Sequence, residues 1–320
     1  MKPAPVRALL SSHVVHGAMN GQSSRLAALV AFVALAAGPF FGPAPAGAEG
    51  AASQPKVGAT IFPLYDIARQ VAGPVADVVL VLPPGASPHT FEPTPAAVRG
   101  LAGARTLFVI GHGLDDWAAR LARGAGVSRL VRVDAGIALR HAAGHEHGAV
   151  DPHYWLSVRN GEAIARTVAA ELERLAPDRA VDIRGALATY LARLDATDRE
   201  IRRLLAGLPT RRIATFHDAF GYFADAYGLE VAAVFEPYPG REPGPRFVVA
   251  FQQKVRATGV RVVFSEPQLS VDAIRPIARD LGVAISVLDP LGGSPGREGY
   301  LEAMLFNARQ VAAALGGRAP

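Results

Sequence analysis

The chain has 320 residues, half of them hydrophobic, and a formal net charge of +5. This length suffices for two domains of ordinary size with substantial cores, so the composition is that of a globular protein. The modest charge forms no basic block, and we therefore expect no nucleic-acid partner. The chain has no cysteine, which excludes disulfides, thiolate ligands and a lipid-bearing cysteine.

The first 48 residues predict a signal peptide that is cleaved. Arg25 precedes an apolar stretch from Leu26 to Ala37, and Ala46-Gly47-Ala48 offers small residues before a cut at Glu49. The stretch is shorter than the ~20 apolar residues that a membrane span needs. Met19 is an alternative start, because a conventional short amino-terminal region begins there. We expect a protein that is free in the periplasm, without a lipid anchor.

Short β-branched runs alternate with longer amphipathic stretches along the rest of the chain. This alternation is typical of βαβ units and of mostly parallel sheets. The predicted strands are Val57 to Ile61, Val78 to Leu82, Thr106 to Ile110, Leu130 to Val133, Arg212 to Phe216, Val231 to Phe235, Val262 to Ser265 and Ala284 to Leu288. Four strands in each half predict an α/β fold with two lobes, each a mostly parallel sheet flanked by helices.

The stretch between the two sets of strands predicts one long helix. Leucine and isoleucine recur at spacings of three, four or seven over residues 178–205 without an internal proline, which gives a helix of roughly 40 Å. Pro177 precedes this stretch, and Gly207 and Pro209 follow it. The predicted organisation is an N-terminal lobe at 49–177, a bridging helix at 178–207 and a C-terminal lobe at 208–320.

Three histidines and one aspartate lie near the ends of predicted strands or in a proline-flanked loop. His217 and Asp289 directly follow strands, His89 follows one after a turn, and His153 lies in an Asp-Pro-His run. In parallel sheets, ligands gather outside the carboxyl ends of the strands. Three neutral imidazoles and one carboxylate form a closed set of four ligands that suits Zn²⁺. We predict a metal site between the lobes, with two ligands from each lobe.

Several of these residues, and some of their neighbours, have simpler alternative roles. Asp289 could be a turn residue before a proline. His112, between two glycines, is a rival ligand, although a role in lining the cleft is favoured. Glu92 and Asp218 are carboxylates that could orient an imidazole N–H. Glu92 could instead cap a turn, and Asp218 could cap a helix that begins near Ala219.

A short histidine-containing loop precedes the second of these histidines. His141, His145 and His147 could capture metal weakly or simply be solvated, and both interpretations stay open. The spacing is not that of an HExxH zinc motif. Because the chain has neither cysteine nor a Gly-x-Ser-x-Gly elbow, a hydrolase would have to depend on metal, with a base such as Glu92.

Five motifs together carry a resemblance to a known family. They are Pro88-His89-Thr90-Phe91-Glu92-Pro93-Thr94-Pro95, Asp151-Pro152-His153-Tyr154-Trp155-Leu156-Ser157, Phe216-His217-Asp218-Ala219-Phe220-Gly221-Tyr222-Phe223, Glu266-Pro267-Gln268-Leu269-Ser270 and Leu288-Asp289-Pro290-Leu291-Gly292. With them the mature chain resembles the cluster A-I solute-binding proteins of ABC transporters, the periplasmic receptors for zinc and manganese. The resemblance implies two α/β lobes bridged by a long helix, and a metal in the cleft.

The resemblance also implies a ligand set and a partner. By motif position, His89, His153, His217 and Asp289 match the metal ligands of the family. Manganese-type members usually carry a carboxylate where this chain has His217, which favours zinc, whereas the loop from 141 to 147 is shorter than that of zinc members. We expect a monomeric protein without catalytic activity that delivers Zn²⁺ to an ABC permease. The alternatives are a Mn²⁺ or Fe²⁺ receptor of the same family, a zinc-dependent hydrolase and a surface adhesin.

Overall fold

A computed structural model describes residues 54–141, 149–236 and 243–316 of the chain. The predicted signal peptide, the alternative start at Met19, and His145 and His147 lie outside these described residues. Within the described ranges, no helix combines the length and the apolar character that crossing a membrane requires.

All eight predicted strands are present, with ends displaced by one or two residues at most. They are β1 (Lys56–Ala59), β2 (Asp77–Leu80), β3 (Thr106–Val109), β4 (Arg129–Arg132), β5 (Arg212–His217), β6 (Glu230–Glu236), β7 (Val262–Ser265) and β8 (Ala284–Val287). They form two four-stranded sheets with the orders β2-β1-β3-β4 and β6-β5-β7-β8, and every neighbouring pair is parallel. The predicted fold class is confirmed.

The inner strands are buried because helices cover both faces of each sheet. Every residue of β3 and of β7 is buried, in agreement with their nearly continuous apolar sequences. The edge strands β2 and β4 are partly exposed. Since all strands of a sheet run in one direction, their carboxyl ends share a single edge, where the loops that carry the candidate ligands begin.

The helices that the structure describes alternate with the strands, except that α4 and α5 both lie between β4 and β5. They are α1 (Phe62–Ala72), α2 (Pro95–Leu101), α3 (Trp117–Ala125), α4 (Val158–Leu175), α5 (Ala180–Leu205), α6 (Gly221–Tyr227), α7 (Pro245–Thr258), α8 (Ile274–Leu281) and α9 (Tyr300–Ala314). Local sequence explains some of their ends. Pro95 begins α2, and the hydroxyl of Thr94 caps that helix by accepting the N–H of Ala97 at 3.2 Å.

The predicted long helix is present as α5, after a 3₁₀ turn at Pro177–Arg179. Its 26 residues span about 39 Å. Ile183, Leu194 and Ile201 lie on its buried face, which packs against α1, α4 and α9. These residues belong to one continuous apolar core that also contains residues of both sheets. The two lobes therefore share a core around α5, while the exact lobe boundaries stay a prediction.

Candidate metal centre

Three of the four predicted ligands meet at one point. Nε2 of His153 lies 3.2 Å from Nε2 of His89 and 3.2 Å from Nε2 of His217. In the part of the chain that the structure describes, these three form the one group of His, Cys, Asp or Glu ligand atoms compatible with a metal ion. Nitrogens bound to a tetrahedral zinc at 2.0–2.1 Å are about 3.3 Å apart, so the spacing suits a single ion held by all three.

Different elements place the three imidazoles. His217 is the last residue of β5. His89 lies in the turn after β2, where the carbonyl of Pro88 accepts the indole N–H of Trp117 at 3.0 Å. His153 directly precedes the 3₁₀ turn Tyr154–Leu156. The three imidazoles thus come together from the end of a strand of one sheet and from connections that follow strands of the other.

Two of the imidazoles have a carboxylate on the nitrogen that faces away from the group. Nδ1 of His153 donates to Asp151 Oδ1 at 2.9 Å, and Nδ1 of His217 donates to Glu266 Oε1 at 2.7 Å. All four residues are buried. A carboxylate on Nδ1 fixes the tautomer and leaves the Nε2 lone pair for a metal. This is the arrangement of an imidazole prepared for coordination.

The sequence suggested Glu92 and Asp218 as the carboxylates that orient an imidazole N–H, but Asp151 and Glu266 occupy these positions. Glu92 is exposed, and the structure pairs neither it nor Asp218 with an imidazole of the group. The sequence did contain a signal for both true partners. Asp151 lies two residues before His153, and Glu266 directly follows β7, the strand that pairs with β5.

The environment shifts the pKa values of two of the imidazoles in opposite directions. Burial, together with the charges of His153 and His217, lowers the pKa of His89 from its ordinary 6.5 to about 2. Burial also acts to lower the pKa of His217, but the carboxylate of Glu266 outweighs it through charge and hydrogen bond and raises this pKa above 6.5. His89 is therefore neutral and ready to bind metal, whereas a metal ion at His217 has to compete with a proton.

Asp289 lies outside the group of three, although the next two residues, Pro290 and Leu291, line the cavity beside the histidines. Its Oδ1 accepts the N–H groups of Leu291 and Gly292, both at 3.0 Å, which confirms the turn role that the sequence offered as an alternative. Its Oδ2 lies 3.2 Å from Nε of Arg297 without the alignment of a hydrogen bond. This oxygen is fully buried and makes no hydrogen bond to the described residues, and the guanidinium of Arg297 is the cation that faces it.

The other histidines with a described position do not join the group. Nε2 of His112 donates to Oδ2 of Asp134 at 2.8 Å, and the ring of His112 packs edge-on against Tyr154. It has a φ of 55°, between two glycines that also have positive φ, as expected for the predicted tight turn. His141 pairs with Val150 in an isolated antiparallel bridge. The favoured interpretation of His112, a residue beside the cleft and not a ligand, agrees with this geometry.

A small cavity adjoins the three histidines. Its volume is about 20 Å³, and Trp155, Pro290 and Leu291 contribute to its apolar wall. The indole N–H of Trp155 donates to the carbonyl of Pro290 at 2.7 Å and thereby ties the segment after His153 to the segment after Asp289. Such a space accommodates an ion or a water molecule but not an organic substrate.

One helix start differs from the sequence prediction. The sequence predicts a helix that begins near Ala219, whereas α6 begins at Gly221. Its N-cap residue is Phe220, which makes no side-chain capping hydrogen bond. Asp218 is therefore not the cap of this helix. Burial, and the charge of Asp151, raise the pKa of Asp218.

The fold and these motifs agree with a family model described as "Zinc-uptake complex component A periplasmic" (ZnuA), which matches residues 57–314. The chain belongs to this ZnuA family. The family resemblance of the sequence is thereby confirmed for nearly the whole described chain.

Individual relatives of this ZnuA family member are distant and differ in the metal they are named for. The zinc-binding protein AdcA of Streptococcus pyogenes serotype M3 is 25% identical over 76% of this chain, which spans only 52% of AdcA. The manganese ABC transporter substrate-binding lipoprotein PsaA of Streptococcus mitis is 28% identical over 81% of this chain and 89% of PsaA. The chain thus spans about half the length of the AdcA relative it matches, and most of the length of PsaA.

A solved structure is similar over the whole described fold. The solute-binding protein FpvC of Pseudomonas aeruginosa, in complex with Mn²⁺, is 30% identical, with a TM-score of 0.74. The similarity covers 82% of this chain and 99% of FpvC. These relatives are named as metal-binding or metal-transport proteins, and the metals named for them include both zinc and manganese.

Proposed function

We propose that this ZnuA family member is a periplasmic Zn²⁺-binding protein that delivers the metal to an ABC-type uptake permease. The observation that carries the proposal is the convergence of three imidazole Nε2 atoms from two lobes, two of them with a carboxylate on Nδ1. Carboxylate-supported imidazoles of this kind are ligands of a transition metal.

The proposed ligands are His89, His153, His217 and Asp289. Three of them already have the spacing of a coordination shell. Oδ2 of Asp289 is buried, is ion-paired with Arg297 and makes no hydrogen bond, so it retains lone pairs for the place of a fourth ligand. Three imidazoles and one carboxylate favour the borderline ion Zn²⁺ over the harder Mn²⁺, which prefers carboxylate, carbonyl and water oxygens. The narrow cavity adds to this preference, because it leaves little space for additional waters.

The alternative within the family is a receptor for Mn²⁺ or Fe²⁺. Its support is the similarity to PsaA and to FpvC, whose names or structures include manganese. A zinc-dependent hydrolase is disfavoured, since Glu92, the base proposed for it, is exposed and the cavity is too small for an organic substrate. We therefore propose that the chain has no catalytic turnover of its own.

The proposed function also implies a cellular location and a membrane partner for the protein. A protein that passes metal to a permease works on the outer side of the cytoplasmic membrane, in agreement with the signal peptide that residues 1–48 predict. We propose that it acts there as a monomer without a lipid anchor. Mass spectrometry of the mature protein from its native host measures both the cleavage after residue 48 and the presence or absence of a lipid.

Metal analysis and competitive titration of the purified protein decide among these functions. We expect one Zn²⁺ per chain, bound more tightly than Mn²⁺, because imidazole ligands dominate the group. A Mn²⁺ affinity equal to or above the Zn²⁺ affinity would instead assign the chain to the manganese alternative. Ester and peptide hydrolysis by the zinc form is measured in parallel, and turnover that depends on Glu92 would support the hydrolase.

The chain offers a matched control for the ligand variants. His112 also pairs with a carboxylate at the edge of a sheet but lies outside the group of three. Asn tolerates the positive φ at this position better than most residues, so His112→Asn changes the imidazole with little backbone strain. We expect His112→Asn to bind zinc like the wild type; an equal loss in this variant and in His153→Ala would refute the assignment of the site.

A further inference from the structure

Arg140, which lies outside the candidate ligands, connects the N-terminal lobe with the first helix of the C-terminal sheet. Its backbone N–H donates to the hydroxyl of Tyr222 at 2.8 Å, and its guanidinium lies over the ring of Tyr222 with Cζ 5.6 Å from the centroid. Its Nε forms an ion pair with Asp225 Oδ2 at 3.1 Å. Tyr222 and Asp225 both belong to α6, which begins four residues after His217.

The same arginine reaches the carboxylate that orients a metal ligand. Nη1 of Arg140 donates to Asp151 Oδ2 at 3.3 Å, while Oδ1 of Asp151 accepts Nδ1–H of His153 at 2.9 Å. The backbones are joined as well, since the N–H of Asp151 donates to the carbonyl of Arg140 at 2.9 Å. Tyr222 donates its hydroxyl to the carbonyl of Asp151 at 3.2 Å.

The guanidinium packs directly against the backbone at Gly221. A Cβ at Gly221 would overlap Nη1 of Arg140, so only glycine at this position leaves the arginine where it is. The side chain of Asp151 is 2% exposed and carries a negative charge that a nearby cation stabilises. Arg140 supplies that cation from one side, and the imidazole of His153 occupies the other oxygen.

We propose that Arg140 is a positioning residue that locks His153 against α6 and thereby slows the release of the bound metal. Arg140, Asp151, Tyr222 and Asp225, here called the Arg140 network, link the segment that carries His153 to the helix that follows His217. A metal held between these two segments leaves quickly only when the segments separate. This role rests on the proposed function, since it concerns the retention of the ion at His153 and His217.

The test is the rate of zinc release, measured by stopped flow with an excess of chelator. We expect Arg140→Gln to release zinc about tenfold faster, because loss of outer partners of a metal ligand costs about 10- to 100-fold. Gly221→Ala retains every charged group but displaces the guanidinium, and we expect the same direction of change. Arg140→Lys restores part of the effect, since it retains the charge without the forked geometry.

A control variant and a melting-temperature measurement distinguish an effect of Arg140 on metal release from a general effect on the stability of the fold. Arg203→Gln removes an ion pair with Glu200 on the exposed side of α5, and its release rate should equal that of the wild type. A merely structural role would lower the melting temperature of Arg140→Gln and leave the release rate unchanged. That result would overturn the proposal.

Two milder variants serve if Arg140→Gln does not fold. Asp225→Asn alters a side chain that is 66% exposed, and Tyr222→Phe retains the ring but removes the hydroxyl that bridges Arg140 and Asp151. Faster release from both supports the network, and unchanged release from both overturns it. A wild-type protein that binds no zinc would instead overturn the proposed function, so the two failures are distinguishable.

Discussion

The two sheets have the same strand order, yet they contribute to the site in different ways. In the second sheet the proposed ligand is part of the sheet itself, because His217 ends the inner strand β5, and its partner Glu266 follows the neighbouring strand β7. In the first sheet the equivalent strand β1 ends at Ala59 and has no ligand. His89 and His153 come instead from the connections that follow β2 and β4.

The two sheets also differ in what the carboxylate that follows their third strand contacts. Glu266, after β7, accepts the Nδ1–H of an imidazole. Asp115, after β3, accepts the hydroxyl of Thr60 at 2.6 Å and the N–H of Ile110 at 2.8 Å. Burial raises the pKa of Asp115, although these hydrogen bonds oppose the shift. Glu266 orients a proposed metal ligand and Asp115 holds a turn, so two sheets of equal topology place their carboxylates in different roles.

The largest effect should come from the imidazole that belongs to a strand. Replacing His217 by Ala removes one ligand of a closed set and leaves Glu266 buried without its partner, so we expect zinc affinity to fall about 100-fold or more. His89→Ala should cost less, although still at least about tenfold, because no comparable carboxylate loses a partner. Isothermal titration with a competing chelator measures both. Equal losses would show that the strand-borne and loop-borne ligands contribute alike.

The supporting carboxylates should give the next largest effect. Glu266→Gln and Asp151→Asn each retain the shape of the side chain but weaken the hydrogen bond to Nδ1, and we expect zinc affinity to fall about 10- to 100-fold. Glu200→Gln, on the exposed side of α5, is the matched control and should leave affinity unchanged. If Glu266→Gln matched this control, the second sheet would not orient its imidazole through Glu266.

Acidification should weaken zinc binding through His217 before it affects His89. The raised pKa of His217 means that a proton competes with the metal already above pH ~6.5, whereas His89 stays neutral until about pH 2. We expect zinc affinity to be at least about tenfold lower at pH ~5.5 than at pH ~7.5. The upward shift of the melting temperature by zinc should shrink accordingly. An equal shift at both pH values would argue against histidine ligands.

The stability of the metal-free protein at different pH values tests the directions of these two pKa shifts. His217 binds its proton more tightly when folded, so it adds stability that is fully present below pH ~6.5 and is lost as the pH rises through its raised pKa. His89 has a lowered pKa, so the unfolded chain takes up this proton first and stability falls as the pH drops below ~6.5. Metal-free His89→Ala should therefore lose less stability on acidification than the wild type does.

The smallest effect on zinc should follow a change in the first sheet's own carboxylate. Asp115→Ala leaves the N–H groups of Ile110 and Gly111 without an acceptor, and we expect the free energy of unfolding to fall by about 1–3 kcal/mol. Zinc affinity should change by less than about twofold, because Asp115 contacts no ligand. Urea denaturation and zinc titration of the same variant measure both. A loss of affinity as large as that of Glu266→Gln would contradict the contrast between the sheets.

Some features of the site were within reach of the sequence and others were not. The strands were predictable because parallel strands buried on both faces are continuous apolar runs, and the three histidines were predictable because they follow such runs or lie next to a proline. The carboxylate partners were missed in favour of Glu92 and Asp218. Proximity in sequence could have found Asp151, which lies two residues before His153, but not Glu266, which lies 49 positions after His217.

Asp289 and Arg140 show most clearly which contacts cannot be predicted from the sequence alone. The sequence determined that Asp289 follows β8 and precedes a proline, which allowed both a ligand and a turn residue. Only the tertiary structure shows that one of its oxygens serves the turn while the other lies buried beside Arg297. Likewise, nothing near Arg140 in sequence indicates Asp225, 85 positions away. Periodicity and strand ends are encoded locally, but the partner of a buried charge is decided by which segments the shared core brings together.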